Sequence, residues 1–165
     1  MIKQIYVDMD GVLCGFEKAA VEAKVLDLKS RKVDWPTLRA LGTKFWAELE
    51  WINEGKKLYD FLKTFTKEHK IDLCILSSVA SSSGKEGKKE WLSTNTTINP
   101  MNFYIVNKPA DKKGFADDES ILIDDYGKNI QEFIQAGGHG IKFKNNAEEV
   151  IEKVKELVSG DDTDE

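Results

Sequence analysis

A chain of 165 residues, 41% of them apolar, can bury the core of one domain with a small insertion. Its 24 basic and 29 acidic residues give a formal net charge of −5. That balance argues against a general nucleic-acid binder, which needs a basic surface, and leaves room for a small phosphorylated substrate in one local basic pocket.

From the N-terminus, residues 2–8 read as a short apolar strand, with no basic leader ahead of it. The strand runs into VDMDGVL, residues 7–13, which places Asp8 and Asp10 at its end. Apolar spacing predicts a helix over 16–29. Trp35-Pro36 breaks it, and Pro36 suits the first turn of a new helix to about residue 51. A further helix is expected over 55–68, with Leu58, Phe61, Leu62 and Phe65 on one face. IDLCILSS, residues 71–78, is a continuous apolar run of the kind found in a central parallel strand. SSSGKEG, residues 81–87, reads as a flexible loop, with a helix after it around KKEWLSTN. Strands are expected at 102–106, 121–125 and 140–143. A helix over 128–136 stops at Gly137-Gly138, and Asn146 with Glu149 resembles a capping box that opens a last helix to about residue 158. The acidic tail 159–165 is expected to be disordered.

Cys14 and Cys74 each lie in or beside an apolar stretch, so two buried free thiols are expected rather than a disulfide or a cysteine-type zinc site. No apolar run approaches the roughly 18 residues of a membrane span. The expected location is cytoplasmic, without a membrane partner.

Alternating strands and helices predict an α/β fold, a Rossmann-like parallel sheet flanked by helices. Ligands of such sheets bind at the carboxyl ends of the strands. Three predicted strands end there in polar groups: Asp8 and Asp10, Ser77 and Ser78, Asp124 and Asp125. Several carboxylates at one edge repel one another unless a proton or a cation intervenes. A hard ion with oxygen ligands answers this, and Mg²⁺ is the usual one where phosphate is also bound. Asp8 with one of Asp124 and Asp125 meets that need. In DxD, one carboxylate can attack phosphorus and the other can move the proton of the leaving alcohol and of the hydrolytic water. Gly11 lets the backbone approach a phosphate. A serine hydroxyl, backbone N–H groups and a lysine can hold its oxygens.

VDMDGVL, ILSS, a downstream lysine and LIDD, in this order, resemble the four motifs of the haloacid dehalogenase (HAD) superfamily. The resemblance implies that Asp8 is the nucleophile and a metal ligand. It implies that Asp10 is the general acid/base, with its backbone carbonyl on the metal. Ser77, with Ser78 beside it, matches the phosphate-binding hydroxyl. Asp124 and Asp125 match the acidic pair that holds Mg²⁺, with Asp125 favoured as direct ligand. Lys108, Lys112 and Lys113 compete for the lysine, and KKGFA favours Lys112. The second aspartate of DxD resembles the phosphatase type; the dehalogenase branch lacks it.

The stretch between Cys14 and Leu58 is too long for a simple connection. It is expected to form a small helical cap over 15–54, set into a catalytic core of 1–14 and 55–158. FWAELEWINEGKKLYDFL, ILSS, KKEWL and LIDDYGKNIQEFIQAGGHGI, in that order, resemble the 5′(3′)-deoxyribonucleotidase branch, which dephosphorylates nucleoside monophosphates. That resemblance makes Phe16, Phe45 and Trp46 candidates for stacking on a base. Two departures stand out: ILSSVA lacks the usual proline, and Tyr126 stands where arginine is frequent. The partner expected is a nucleoside monophosphate rather than a nucleic-acid polymer. A different small phosphate ester, or a silent binding module on the same fold, is the alternative. Oligomeric state is open, a homodimer included. Trp91 is expected to pack against the sheet, Lys88 and Lys89 to be solvated, and His69 and His139 to be structural.

Overall fold

Over residues 1–160, which the computed structural model describes, apolar runs become strands and amphipathic runs become helices in near-strict alternation. β1 (Gln4–Val7) leads to α1 (Phe16–Glu22) and then to an antiparallel hairpin of β2 (Leu26–Asp27) and β3 (Lys32–Val33). α2 (Trp35–Ala40), α3 (Gly42–Ala47) and the long α4 (Asn53–His69) follow. Next come β4 (Asp72–Ser78), α5 (Ser82–Asn95), β5 (Phe103–Val106) and a 3-10 segment over Pro109–Phe115. β6 (Ser120–Asp124), α6 (Gly127–Gln135), β7 (His139–Lys142) and α7 (Ala147–Gly160) complete the described chain.

Five strands form one parallel sheet in the order β5-β4-β1-β6-β7. This is the α/β, Rossmann-like architecture that the alternation of elements predicts. β1 is central, and the chain crosses first to one side of it and later to the other. That reversal is the switch point at which ligands of open parallel sheets bind. The register pairs Val7 with both Ile75 and Ile123. One residue further on, Asp8 stands beside Asp124, with Ser77 just beyond on the other side.

Successive strand residues alternate between two cores. Ile5, Val7, Ile75, Ile121 and Ile123 pack with Leu58 and Leu62 of α4, Trp91 of α5 and Val150 of α7. Tyr6, Cys74, Leu76 and Leu122 pack on the other face with Ile130 and Phe133 of α6. Full burial of one such side chain is worth about 1.5–3 kcal/mol, which is what holds a four-residue strand such as β1 in place. Cys14 and Cys74 are buried free thiols, as expected. No helix among the described residues is long and apolar enough to cross a membrane.

Four local expectations are corrected. The helix expected over 16–29 ends at Glu22; Lys24 adopts φ 61°, and the chain turns into the β2–β3 hairpin. The helix expected from Pro36 to about residue 51 is two short helices, divided before Gly42 at φ +69°. The expected loop at 81–87 is the first half of α5, capped by Ser81, whose Oγ accepts from Gly84 N at 3.1 Å. Its glycines serve close packing: a Cβ on Gly87 would stand 2.5 Å from the Thr43 carbonyl oxygen and from Trp46 Cβ. Thus α3 lies directly on α5. Of the expected acidic tail, Ser159 and Gly160 belong to α7, and the rest lies outside the described residues.

Candidate active site

After β1 the chain folds back on itself in a tight turn. The N–H groups of Val12, Leu13 and Cys14 all donate to the Met9 carbonyl, at 2.8–3.1 Å. Gly11 makes the turn possible at φ +84°, a region costly for residues with a Cβ. A Cβ there would also lie 2.0 Å from Asp125 Oδ2, so the Asp125 carboxylate rests on this glycine. Gly15 N donates to the Glu50 carbonyl at 2.9 Å and Ile52 N to that of Leu13 at 2.8 Å. These two bonds join the start and end of the segment that carries α1 to α3.

Asp8 is buried, with its amide donating to the Ile123 carbonyl at 3.0 Å. The buried Lys112 Nζ lies 3.1 Å from Asp8 Oδ1 and 2.8 Å from Asp124 Oδ2. Lys108 and Lys113 are exposed. Asp124 is wholly buried and fully engaged. Its Oδ2 accepts also from Asn129 Nδ2 at 3.1 Å, and its Oδ1 from Tyr126 N at 2.9 Å. Oxygens of Asp8, Asp124 and Asp125 all lie within 4.8 Å of one another.

Burial pushes the Asp8 carboxyl up to about 8; Lys112 pulls it down and Asp124 pushes it further up. Burial and Asp124 push Asp125 up to about 6. For Lys112 burial acts downward, but Asp8 and Asp124 outweigh it and the net shift is upward. The 3.1 Å approach is ion-pair geometry, so we take Asp8 as ionised beside Lys112, with desolvation holding it close to protonation. A cation among these carboxylates would offset the cost of that desolvation by favouring their charged forms. The donors are all hard oxygens, a set that suits Mg²⁺. Because both Asp124 oxygens are engaged by protein groups, Asp8 and Asp125 are the side chains best able to give an oxygen to the ion.

The second half of the site gathers around Asp10. Its Oδ2 accepts from Lys88 Nζ at 2.8 Å, and Lys88 also donates to Ser77 Oγ at 2.6 Å. Asp10 Oδ1 is buried without a hydrogen-bond partner. Lys88, expected to be solvated, is fully buried, whereas Lys89 is exposed. The reason is helical phase: Gly84, Gly87, Lys88 and Trp91 share the face of α5 turned to the core. Trp91 three residues on is the signal that could have placed Lys88 inside. Asn129 was likewise missed; it lies on α6 five residues after Asp124.

Beside Asp10 opens a cleft of about 380 Å³, bordered by Phe16, Trp35, Arg39, Trp46 and Ser78. That size is typical of a small-molecule site. Phe16 and Trp46 stack, with centroids 5.3 Å apart, and Phe45 meets both edge-on. Phe16 and Trp46 face the cleft; Phe45 is not among its lining residues. Trp35, half exposed, is an additional wall. Trp91 packs in the core and donates to the Leu49 carbonyl at 2.6 Å. His69 and His139 hydrogen-bond the backbone carbonyls of Phe65 and Asp118.

No protein-family model and no curated protein sequence matches the chain. Solved structures do match its fold. A HAD-superfamily hydrolase from Ehrlichia chaffeensis is 19% identical, with a TM-score of 0.53 over 96% of this chain and 99% of that one. The L-2-haloacid dehalogenase of Xanthobacter autotrophicus is 14% identical, with a TM-score of 0.54 over 97% of this chain and 84% of that one. A HAD family enzyme from Bacteroides thetaiotaomicron, solved with magnesium and inorganic phosphate, is 16% identical. Its TM-score is 0.48, over 88% of this chain and 96% of that one. The chain therefore has the fold of HAD-superfamily hydrolases.

Proposed function

We propose that this chain is a Mg²⁺-dependent phosphomonoesterase that hydrolyses nucleoside monophosphates through an aspartyl-phosphate. The observation that carries this reading is the pair of differently held carboxylates at one strand end. Asp8 is fixed by Lys112, while Asp10, which borders an aromatic-walled cleft, keeps one buried oxygen unpartnered. Dehalogenation has no need of a second carboxylate; phosphate ester hydrolysis needs a proton moved in both steps.

In this reading a carboxylate oxygen of Asp8 attacks phosphorus, and the bond from phosphorus to the ester oxygen breaks. Asp10 gives its proton to the departing alkoxide, so the alcohol leaves neutral. Water then attacks the aspartyl-phosphate, Asp10 takes its proton, and the bond from Asp8 to phosphorus breaks to release phosphate. Gly11, Ser77, Ser78 and Lys112 hold the non-bridging oxygens. Asp8 and Asp125 would hold Mg²⁺, with Asp124 and the Asp10 carbonyl beside them. The ion would supply charge neutralisation at the transferring phosphoryl group. Phe16, Trp35 and Trp46 offer flat apolar walls to a base.

The test is a panel of phosphorylated metabolites with Mg²⁺, comparing deoxynucleotides, ribonucleotides and sugar phosphates. Nucleoside monophosphates are expected to be the best substrates, and Asp8→Asn to abolish turnover. Sugar phosphates cleaved faster than every nucleotide would end the nucleotide reading. An Asp8→Asn protein as active as the parent would end the mechanism.

A further inference from the structure

We propose that Lys88 is a positioning residue that sets which oxygen of Asp10 handles the proton. The inference rests on the phosphatase reading above. A carboxylate turns freely about its Cβ–Cγ bond, so an acid/base works in one geometry only if one oxygen is anchored. Lys88 supplies that anchor at 2.8 Å on Oδ2 and leaves Oδ1 buried with no partner. The same ammonium donates to Ser77 Oγ at 2.6 Å. Ser77 thereby acts as acceptor toward Lys88, and its own O–H remains free to donate to a phosphate oxygen. The ammonium also stands over the Trp46 ring, 5.2 Å from its centroid. One fully buried cation thus ties together the end of β1, the end of β4 and helix α3. A lysine is rarely buried so completely unless its charge is paired, and here both of its oxygen partners belong to the candidate site.

A role through Asp10 and a merely structural role differ in their dependence on the leaving group. An alkoxide needs a proton as the ester bond breaks; p-nitrophenolate leaves without one. The experiment compares kcat/KM for p-nitrophenyl phosphate and for an alkyl phosphate ester, in the full chain with Mg²⁺. In Lys88→Met, folding being checked by circular dichroism, the alkyl ester should lose at least about 30-fold, a part of the 10²–10⁴-fold that a general acid supplies. The nitrophenyl ester should lose several-fold less. Because hydrolysis of the aspartyl-phosphate still needs Asp10, mixing with p-nitrophenyl phosphate should give a burst of nitrophenolate approaching one equivalent per enzyme. Adding Lys88→Met to Asp10→Asn should cost little more than Asp10→Asn alone. Lys88→Gln, which keeps a donor without the charge, serves by the same criteria if the methionine variant does not fold. Equal losses on both esters, or no loss on either, would overturn the role given to Lys88 while leaving the phosphatase reading intact. A parent enzyme that cleaves neither ester would overturn the phosphatase reading, and Lys88's role with it.

Discussion

At the scale of single residues, the turn after β1 depends on one glycine for two reasons. Gly11 sits at φ +84° and its missing side chain makes room for the Asp125 carboxylate. Gly11→Ala should destabilise the fold by about 1–2 kcal/mol, the cost of a left-handed conformation with a Cβ, as read from urea unfolding. It should also weaken Mg²⁺ binding by about tenfold or more, since groups that orient metal ligands matter nearly as much as the ligands. Calorimetric titration giving an unchanged Mg²⁺ affinity would remove Asp125 from the metal site. Residue identity explains what could be read at this scale. Carboxylates and hydroxyls at the ends of apolar runs stand out because burial offers no reason for them. Lys88 did not stand out, because lysine is so generally solvated that only its phase with Trp91 betrays its position. Asn129 is hidden for the same reason: nothing in an isolated asparagine says that a buried carboxylate lies within reach.

At the scale of elements, the contact of α3 with α5 leaves no room for a side chain at Gly87. Gly87→Val would force a side chain into space held by the Thr43 carbonyl and the Trp46 side chain. Overpacking of this kind costs about 1–3 kcal/mol, seen as a lowered Tm. Displacement of Trp46 from the cleft should raise KM for the substrate more than it lowers kcat. An unchanged Tm would mean that α3 shifts away at no cost. The five sheet strands and the helices α4, α6 and α7 are legible because their periods run for several residues and each ends in a recognisable stop. The segment between β1 and α4 was not. Its helices have six or seven residues, too short for a period to declare itself. The glycines of α5 look like loop punctuation in the sequence because close helix contact and backbone freedom call for the same residue.

At the scale of the whole molecule, the sheet withdraws several titratable groups from water. Burial pushes the Cys74 thiol from an ordinary 9.0 up to about 12 and the Tyr6 phenol from 10.0 up to about 12; Cys14 is raised by the same cause. In the unfolded chain these groups lose their protons at ordinary pH values, whereas the folded chain retains them. Between about pH 9 and 12 the folded state binds more protons, so stability falls as pH rises, and it is fully present below pH 9. Urea midpoints should therefore decline steadily above pH 9. Iodoacetamide at pH 8 should leave both cysteines unmodified in the folded protein and alkylate both in urea. Rapid labelling without denaturant would show that the core opens readily.

The two backbone hydrogen bonds that join Gly15 to Glu50 and Ile52 to Leu13 have an evolutionary consequence. Everything between them leaves the sheet and returns to it through one narrow neck. The chain on the far side can lengthen, shorten or be replaced while strand register stays as it is, since the cost of closing a loop rises slowly with its length. A laboratory graft made at the same neck would have to keep the packing of α3 on α5 and the bond from Trp91 to the Leu49 carbonyl, because Lys88, which holds Asp10, lies against Trp46.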